Sequence, residues 1–387
     1  MTPKERILAA LAHKEPDLVP WGEHCIDYNV HEMILGRKSY VHAKFEETRA
    51  YWEGRRDEVV RSYTYDVVDL VKALEMDITV VWPVVPRDYC PEPFIRVSED
   101  TWKDGAGGVY RLSSVTGDLY KVPINTAYFQ YDITYDEVCA KTEELKNLPP
   151  IEPNPDIPEF EAINYAVKEL GKTHFLIAPI NGLEWPRFGA AEEDSWINLL
   201  ESPKICEKIA EYQYVETLRQ LPRIAASGVD GVLSVGDLGN TTNLYAPPSV
   251  YRSIIYKYHR KLYGECKKLG LYVMRHCCGH IWPIIGEICE CNDAYEAIQE
   301  RAGMDIARLK EKAGDRLTLW GGVLHEHIHG GTPEDIEADI RRSFAAAAPG
   351  GGFIMGSSHS LTVGATYENI MAMKNGREKY GSYPIKI

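Results

Sequence analysis

The sequence predicts one (β/α)8 barrel over residues 1–387, with a β-hairpin region inserted at 90–135, after the second strand. Three observations carry this prediction. Eight short apolar runs lack polar alternation, as strands buried on both faces of a parallel sheet do. Helical stretches separate most of them, as crossovers in a βα alternation. Polar residues able to do chemistry gather where the runs end, and in a parallel barrel those ends share one face.

Taken in order, the chain opens with a helix. Thr2 caps it, Pro3 suits its first turn, and Glu5 completes a capping box ahead of Ile7, Leu8 and Leu11 on one face. Pro16 and Pro20 end that pattern, and the first strand is expected near 19–24. Further strands are expected near 78–82, 175–179, 231–236, 271–276, 294–298, 317–323 and 353–356. Helices are expected within 194–226, 247–269, 303–313 and 333–348. Region 90–135 is rich in Gly, Tyr and Thr, and the runs from Val109 and Leu119 read as antiparallel hairpins. The Pro-rich stretch 149–158 reads as a surface connector.

Composition excludes several classes. The 43 Lys and Arg against 57 Asp and Glu give a net charge of -14, so there is no electrostatic footprint for nucleic acid or an anionic membrane. No apolar run is long enough to span a bilayer. The charged residues after Met1 do not resemble a secretory signal, and a cytoplasmic setting with reduced thiols is the expectation for the nine cysteines. Oligomeric state stays open, a homodimer included.

The strand-ends hold the candidate site. His276 and Cys278 close strand five two residues apart, so both side chains share a face. Imidazole and thiolate suit zinc, which needs further ligands. His359, after strand eight, is the chosen third. A buried cysteine beside a hydrogen-bonded histidine is the alternative reading, and Cys277 should point the other way into the core. Asp237 leaves strand four, where a buried carboxylate must be paired or useful, either orienting a ligand or acting on substrate. Glu184 follows strand three and has the same two options, or a salt bridge with Arg187. His24 and Trp82, at the ends of strands one and two, are candidate substrate contacts. So is His325, in a segment from His325 to His329 that reads as a loop. Phosphate loops, dinucleotide fingerprints, nucleophile elbows and His-Glu-x-x-His helices are absent.

Several segments together resemble the uroporphyrinogen decarboxylase superfamily. These are Lys4–Pro20, Gly303–Lys310, Gly314–Gly322, Gly331–Asp335 and Gly351–Ile354 followed by Tyr367–Ile370. The resemblance implies a (β/α)8 barrel. The true decarboxylases of that superfamily carry an Arg-rich segment after strand one. Here Trp21–Asp27 has acids and no arginine, which disfavours a polycarboxylate substrate. A second branch, the zinc methyltransferases that work with a corrinoid protein, is similar at His276-x-Cys278-Gly279. Its third ligand is a cysteine whose place falls here on His359.

That branch implies Zn2+ as cofactor and a cobalamin carried by a separate corrinoid protein as partner. The activity it implies is methyl transfer to or from cobalt. With 24 Tyr and 8 Trp, a methoxylated aromatic is the chosen methyl donor. A methylcobalamin:thiol methyltransferase, or one acting on a methylamine or betaine, is the alternative. A decarboxylase and a non-catalytic barrel rank lower.

Overall fold

The computed structural model describes residues 1–122, 133–183, 186 and 192–387. Its main sheet has eight parallel strands: β1 (Gly22–Glu23), β2 (Ile78–Val80), β7 (Phe175–Asn181), β8 (Gly231–Val235), β9 (Tyr272–His276), β10 (Ala294–Glu296), β11 (Thr318–Val323) and β12 (Phe353–Ser357). A parallel bridge between Trp21 and Met355 joins the two edges. The predicted barrel is therefore present, with every predicted strand in place and several ends trimmed.

Strand alternation decides what the barrel holds. Inward side chains include Ile78, Val80, Phe175, Ile177, Leu233, Met274, Ala294, Trp320 and Ile354, which form one buried cluster. The helix Pro3–Leu11 plugs the bottom of the barrel, adding Ile7 and Ala10 to that cluster. Its N-terminus has the predicted capping box between Thr2 and Glu5. The Trp320 indole N–H donates to the Gly22 carbonyl at 2.8 Å. A Cβ on Gly356 would meet that carbonyl at 2.8 Å and the Trp320 Nε1 at 2.7 Å, so only glycine lets β12 approach there.

The inserted region is a four-stranded antiparallel sheet: β3 (Ile95–Arg96), β4 (Thr101–Lys103), β5 (Val109–Leu112) and β6 (Leu119–Lys121). It packs through Trp102 and Phe94 onto Phe45 and Trp52 of the helix Lys44–Trp52.

Three expectations about helices change. Stretch 194–226 is two helices, Glu192–Glu201 and Pro203–Ala226, parted at Ser202 because Pro203 starts a new first turn. The helix expected from 303 begins at Ile306, where Asp305 caps it by accepting the Arg308 N–H. His325–Gly330 is a short helix and not a loop. Its first turn is held by Asp339, a residue of the helix Pro333–Ala347, which accepts the Leu324 N–H at 3.0 Å. In the helix His325 and His329 share a face, with ring centroids 4.0 Å apart, while His327 turns to Asp339. No helix among the described residues is long and apolar enough to cross a membrane.

Candidate metal centre

The inward row of β9 runs Met274, His276 and then, past the strand end, Cys278. On β10 it runs Ala294, Glu296, and the register sets Glu296 directly beside His276. The inward row of β8 runs Leu233, Val235 and on to Asp237. Period-two alternation therefore delivers four polar side chains to one level of the barrel mouth. Cys277 has the opposite parity and is buried in the outer core, as expected.

Asp237, His276 and Cys278 place one ligand atom each within 4.8 Å of one another. The His276 Nε2 lies 4.0 Å from the Asp237 Oδ1. Cys278 donates its S–H to the Asp237 Oδ2 at 3.1 Å and its N–H to Oδ1 at 2.8 Å. Burial, then the nearby Asp237 carboxylate, pushes the Cys278 thiol well above its ordinary value. A protonated thiol, an imidazole nitrogen and a carboxylate gathered this way fit a cation that takes N, S and O ligands and displaces the thiol proton.

Glu296 holds the ring behind this group. It accepts from the His276 Nδ1 at 2.5 Å and from the His24 Nδ1 at 3.0 Å. Burial alone would raise its carboxyl, but the two imidazoles outweigh that and hold it at about 2. Burial would lower His276, and Glu296 reverses this, leaving it above its ordinary value. His24, Glu296 and His276 also bring one ligand atom each within 4.8 Å of one another. There, however, both Nδ1 atoms are already spent on the carboxylate. A carboxylate on Nδ1 leaves the His276 Nε2 as the ligand atom, the usual arrangement behind a metal-bound histidine.

His359 lies beside the centre, outside both groups. Its ring centroid is 6.0 Å from that of His276 and 5.2 Å from that of His325. Burial, then His276 and the other histidines, lowers it to about 4, so it is neutral. Its Nδ1 accepts the Ser360 N–H at 2.7 Å. In that tautomer the ring hydrogen sits on Nε2, which makes His359 a donor into the mouth.

Ser360 also sets two other rings. Its hydroxyl lies 3.3 Å from the His24 Nε2, and its carbonyl accepts from the His325 Nδ1 at 3.2 Å. Of the other sequence-chosen residues, Trp82 packs edge-on against His42, with centroids 4.9 Å apart. Glu184 lies outside the described residues.

Sequence reading passed over Glu296 and Ser360. Glu296 had a signal: an acid inside the apolar run Ala294–Ile298, where an unpaired charge is costly. Ser360 had none, since two of its three contacts come from elements distant in sequence. Glu23 is a further buried acid of the mouth, 1 % exposed. It accepts from the Ser357 hydroxyl at 2.6 Å and from the Trp21 indole at 3.2 Å, and burial pushes its carboxyl up to about 8.

The fold is similar to that of a methyltransferase from Methanosarcina mazei, with a TM-score of 0.64 at 14% sequence identity over 98% of this chain and 99% of that one. A putative vitamin-B12 independent methionine synthase from Listeria monocytogenes aligns at a TM-score of 0.43 and 8% identity, covering 94% of this chain and 98% of its own. No curated protein matches the chain. Residues 194–380, which carry Asp237, His276, Cys278 and Glu296, match the family model Uroporphyrinogen decarboxylase (URO-D).

Proposed function

We propose that the protein is a zinc-dependent methyltransferase that moves the methyl group of a methoxylated aromatic to the Co(I) corrinoid of a partner protein. The observation carrying this reading is the Asp237–His276–Cys278 donor set at the barrel mouth, with Glu296 locked onto the far nitrogen of His276. The segment Trp21–Asp27 agrees with it, because it offers no arginine to pair with the carboxylates of a tetrapyrrole. The similarity in fold to a methyltransferase supports it as well.

The His276 Nε2, the Cys278 Sγ and an Asp237 oxygen would hold the zinc. When bound, the ion supplies Lewis-acid activation of the ether oxygen. Cys278 gives up its thiol proton to solvent as it becomes a ligand. Glu296 keeps both His276 and His24 in one orientation. His359, neutral and with its hydrogen on Nε2, donates to the oxygen that gains charge as its bond to the methyl breaks. That oxygen keeps the electron pair and leaves as a phenol after taking a proton. His24 and Trp82 contact the donor, and His325 supports His359.

The test is a spectroscopic assay. Purified protein is incubated with a Co(I) corrinoid protein and a panel of methoxyarenes, methylamines, betaines and thiols, and methyl-Co(III) is followed. Formation from a methoxyarene supports the reading, and no change with any methoxyarene overturns it. His276→Ala and Cys278→Ser are expected to lose bound zinc and at least 100-fold in rate. Full activity in zinc-free variants would remove the metal from the mechanism.

A further inference from the structure

Behind the mouth, between β1, β2 and the segment leading into the helix Lys44–Trp52, lies a small cavity of about 20 Å³. That is room for one water or one small substituent. His24 and Trp82 line it, together with Glu23, His31, Thr79 and His42, and the rest of the lining is aliphatic. The cavity thus shares His24 with the metal centre.

His42 is held there at a cost. Its φ is +50°, and Lys44 two residues on has φ +55°, a left-handed backbone that non-glycine residues rarely adopt. The Tyr63 hydroxyl accepts the His42 N–H at 3.1 Å and itself lies 3.2 Å from a Glu47 oxygen. Tyr63 sits in the π-helical turn Ser62–Asp66, a distortion common at functional sites. Between the Tyr63 and Trp82 rings the His42 imidazole meets both edge-on. The His42 Nε2 ends this arrangement shielded from solvent and with no hydrogen-bond partner among the described residues. A buried polar atom left so is costly unless something joins it.

The cavity's chemistry limits what that is. Its lining contains no lysine, arginine or aspartate. Its one acid, Glu23, is engaged with Ser357 and Trp21. Burial lowers His42 to about 3, so the ring is neutral. A charged group would enter without a counter-charge and lose its hydration.

We propose that His42 is a specificity-determining residue, and that this cavity takes one small uncharged oxygen substituent of the methyl donor, hydrogen-bonded to the His42 Nε2 and flanked by Trp82. This rests on the methyltransferase reading and narrows its donor to one with an uncharged hydroxyl or methoxy group. Cationic and carboxylate donors are excluded from the cavity.

Calorimetric titration of the zinc-loaded protein tests this without turnover. The ligands are 2-methoxyphenol, methoxybenzene, 2-methoxybenzoate and glycine betaine. Wild type is expected to bind 2-methoxyphenol about tenfold more tightly than methoxybenzene, and both more tightly than the two charged compounds. His42→Asn tolerates the left-handed backbone but shortens the side chain. It should erase the tenfold preference while keeping the affinity for methoxybenzene, which also shows that the variant is folded. An unchanged preference in His42→Asn, tighter binding of a charged compound by wild type, or no binding of either uncharged arene would overturn the proposal. The methyl-Co(III) assay separates the two claims. Binding with the expected preference but no methyl transfer from any donor sinks the methyltransferase reading and leaves the pocket. Transfer from 2-methoxybenzoate and from no uncharged methoxyarene sinks the pocket and leaves the methyltransferase reading.

Discussion

Glu23 and Glu296 lie on the same barrel mouth, both fully buried, and their partners drive them apart. Glu296 faces two imidazoles and is held at about 2, whereas Glu23 has only neutral donors and burial pushes it up to about 8. Glu23 is therefore protonated when folded and ionised when unfolded between its unfolded value, about 4.5, and about 8. Over that window the folded state binds the extra proton, so stability falls as pH rises and levels off above about 8. Glu23→Gln keeps a neutral side chain of the same shape and removes that slope. The variant is expected to match wild type near pH 5 and to exceed it near pH 8 by on the order of a few kcal/mol. Urea unfolding at the two pH values checks this, and an unchanged slope refutes it. At this scale the sequence brought His276 and Cys278 together because two-residue spacing is local. It did not show that an Asp237 oxygen would come within 4.8 Å of both. The protonated His359 Nε2 was hidden too, because a tautomer depends on where the Ser360 N–H points.

Elements were read well where their signal lies within them. Each barrel strand is a short apolar run, and the capping box at Thr2 is a local motif. The helix His325–Gly330 failed because its start is fixed from outside. Leu324 occupies the N-cap with no side chain able to accept, and Asp339 does so from the next helix. Asp339 is 4 % exposed and also accepts from the His327 Nδ1 at 2.8 Å. Asp339→Ala orphans the Leu324 N–H and frees His327, so it should cost about 1–3 kcal/mol. If His325 is placed by this helix, the same variant lowers methyl transfer while leaving bound zinc unchanged, because no metal-group residue comes from this element. Thermal unfolding, metal content and rate together check it. Loss of zinc in Asp339→Ala would contradict the division.

At the scale of the whole molecule, the donor atoms tie three neighbouring strands together at the mouth, through Asp237 after β8, His276 and Cys278 on and after β9, and Glu296 on β10. The barrel does not depend on an ion to fold. Its interior cluster runs from the plug residue Ile7 up to Trp320, and a much larger outer core surrounds it. Zinc should thus stabilise by mass action, adding about 2.7 kcal/mol at a hundred times its dissociation constant. For a chain of 387 residues this raises the unfolding temperature by a few degrees. The sign with pH follows from Cys278, whose thiol lies above its ordinary value, so each ion bound must expel a proton. Raising pH makes that easier, and the zinc-induced shift should be larger at pH 8 than at pH 6. Glu296→Gln keeps the side-chain shape but removes the charge that fixes His276, and should weaken zinc binding about 10–100-fold. His276→Ala should abolish the shift at both pH values. Differential scanning calorimetry with zinc and with a chelator measures all of these. A zinc-induced shift that persists in His276→Ala would show that the ion binds elsewhere on the barrel.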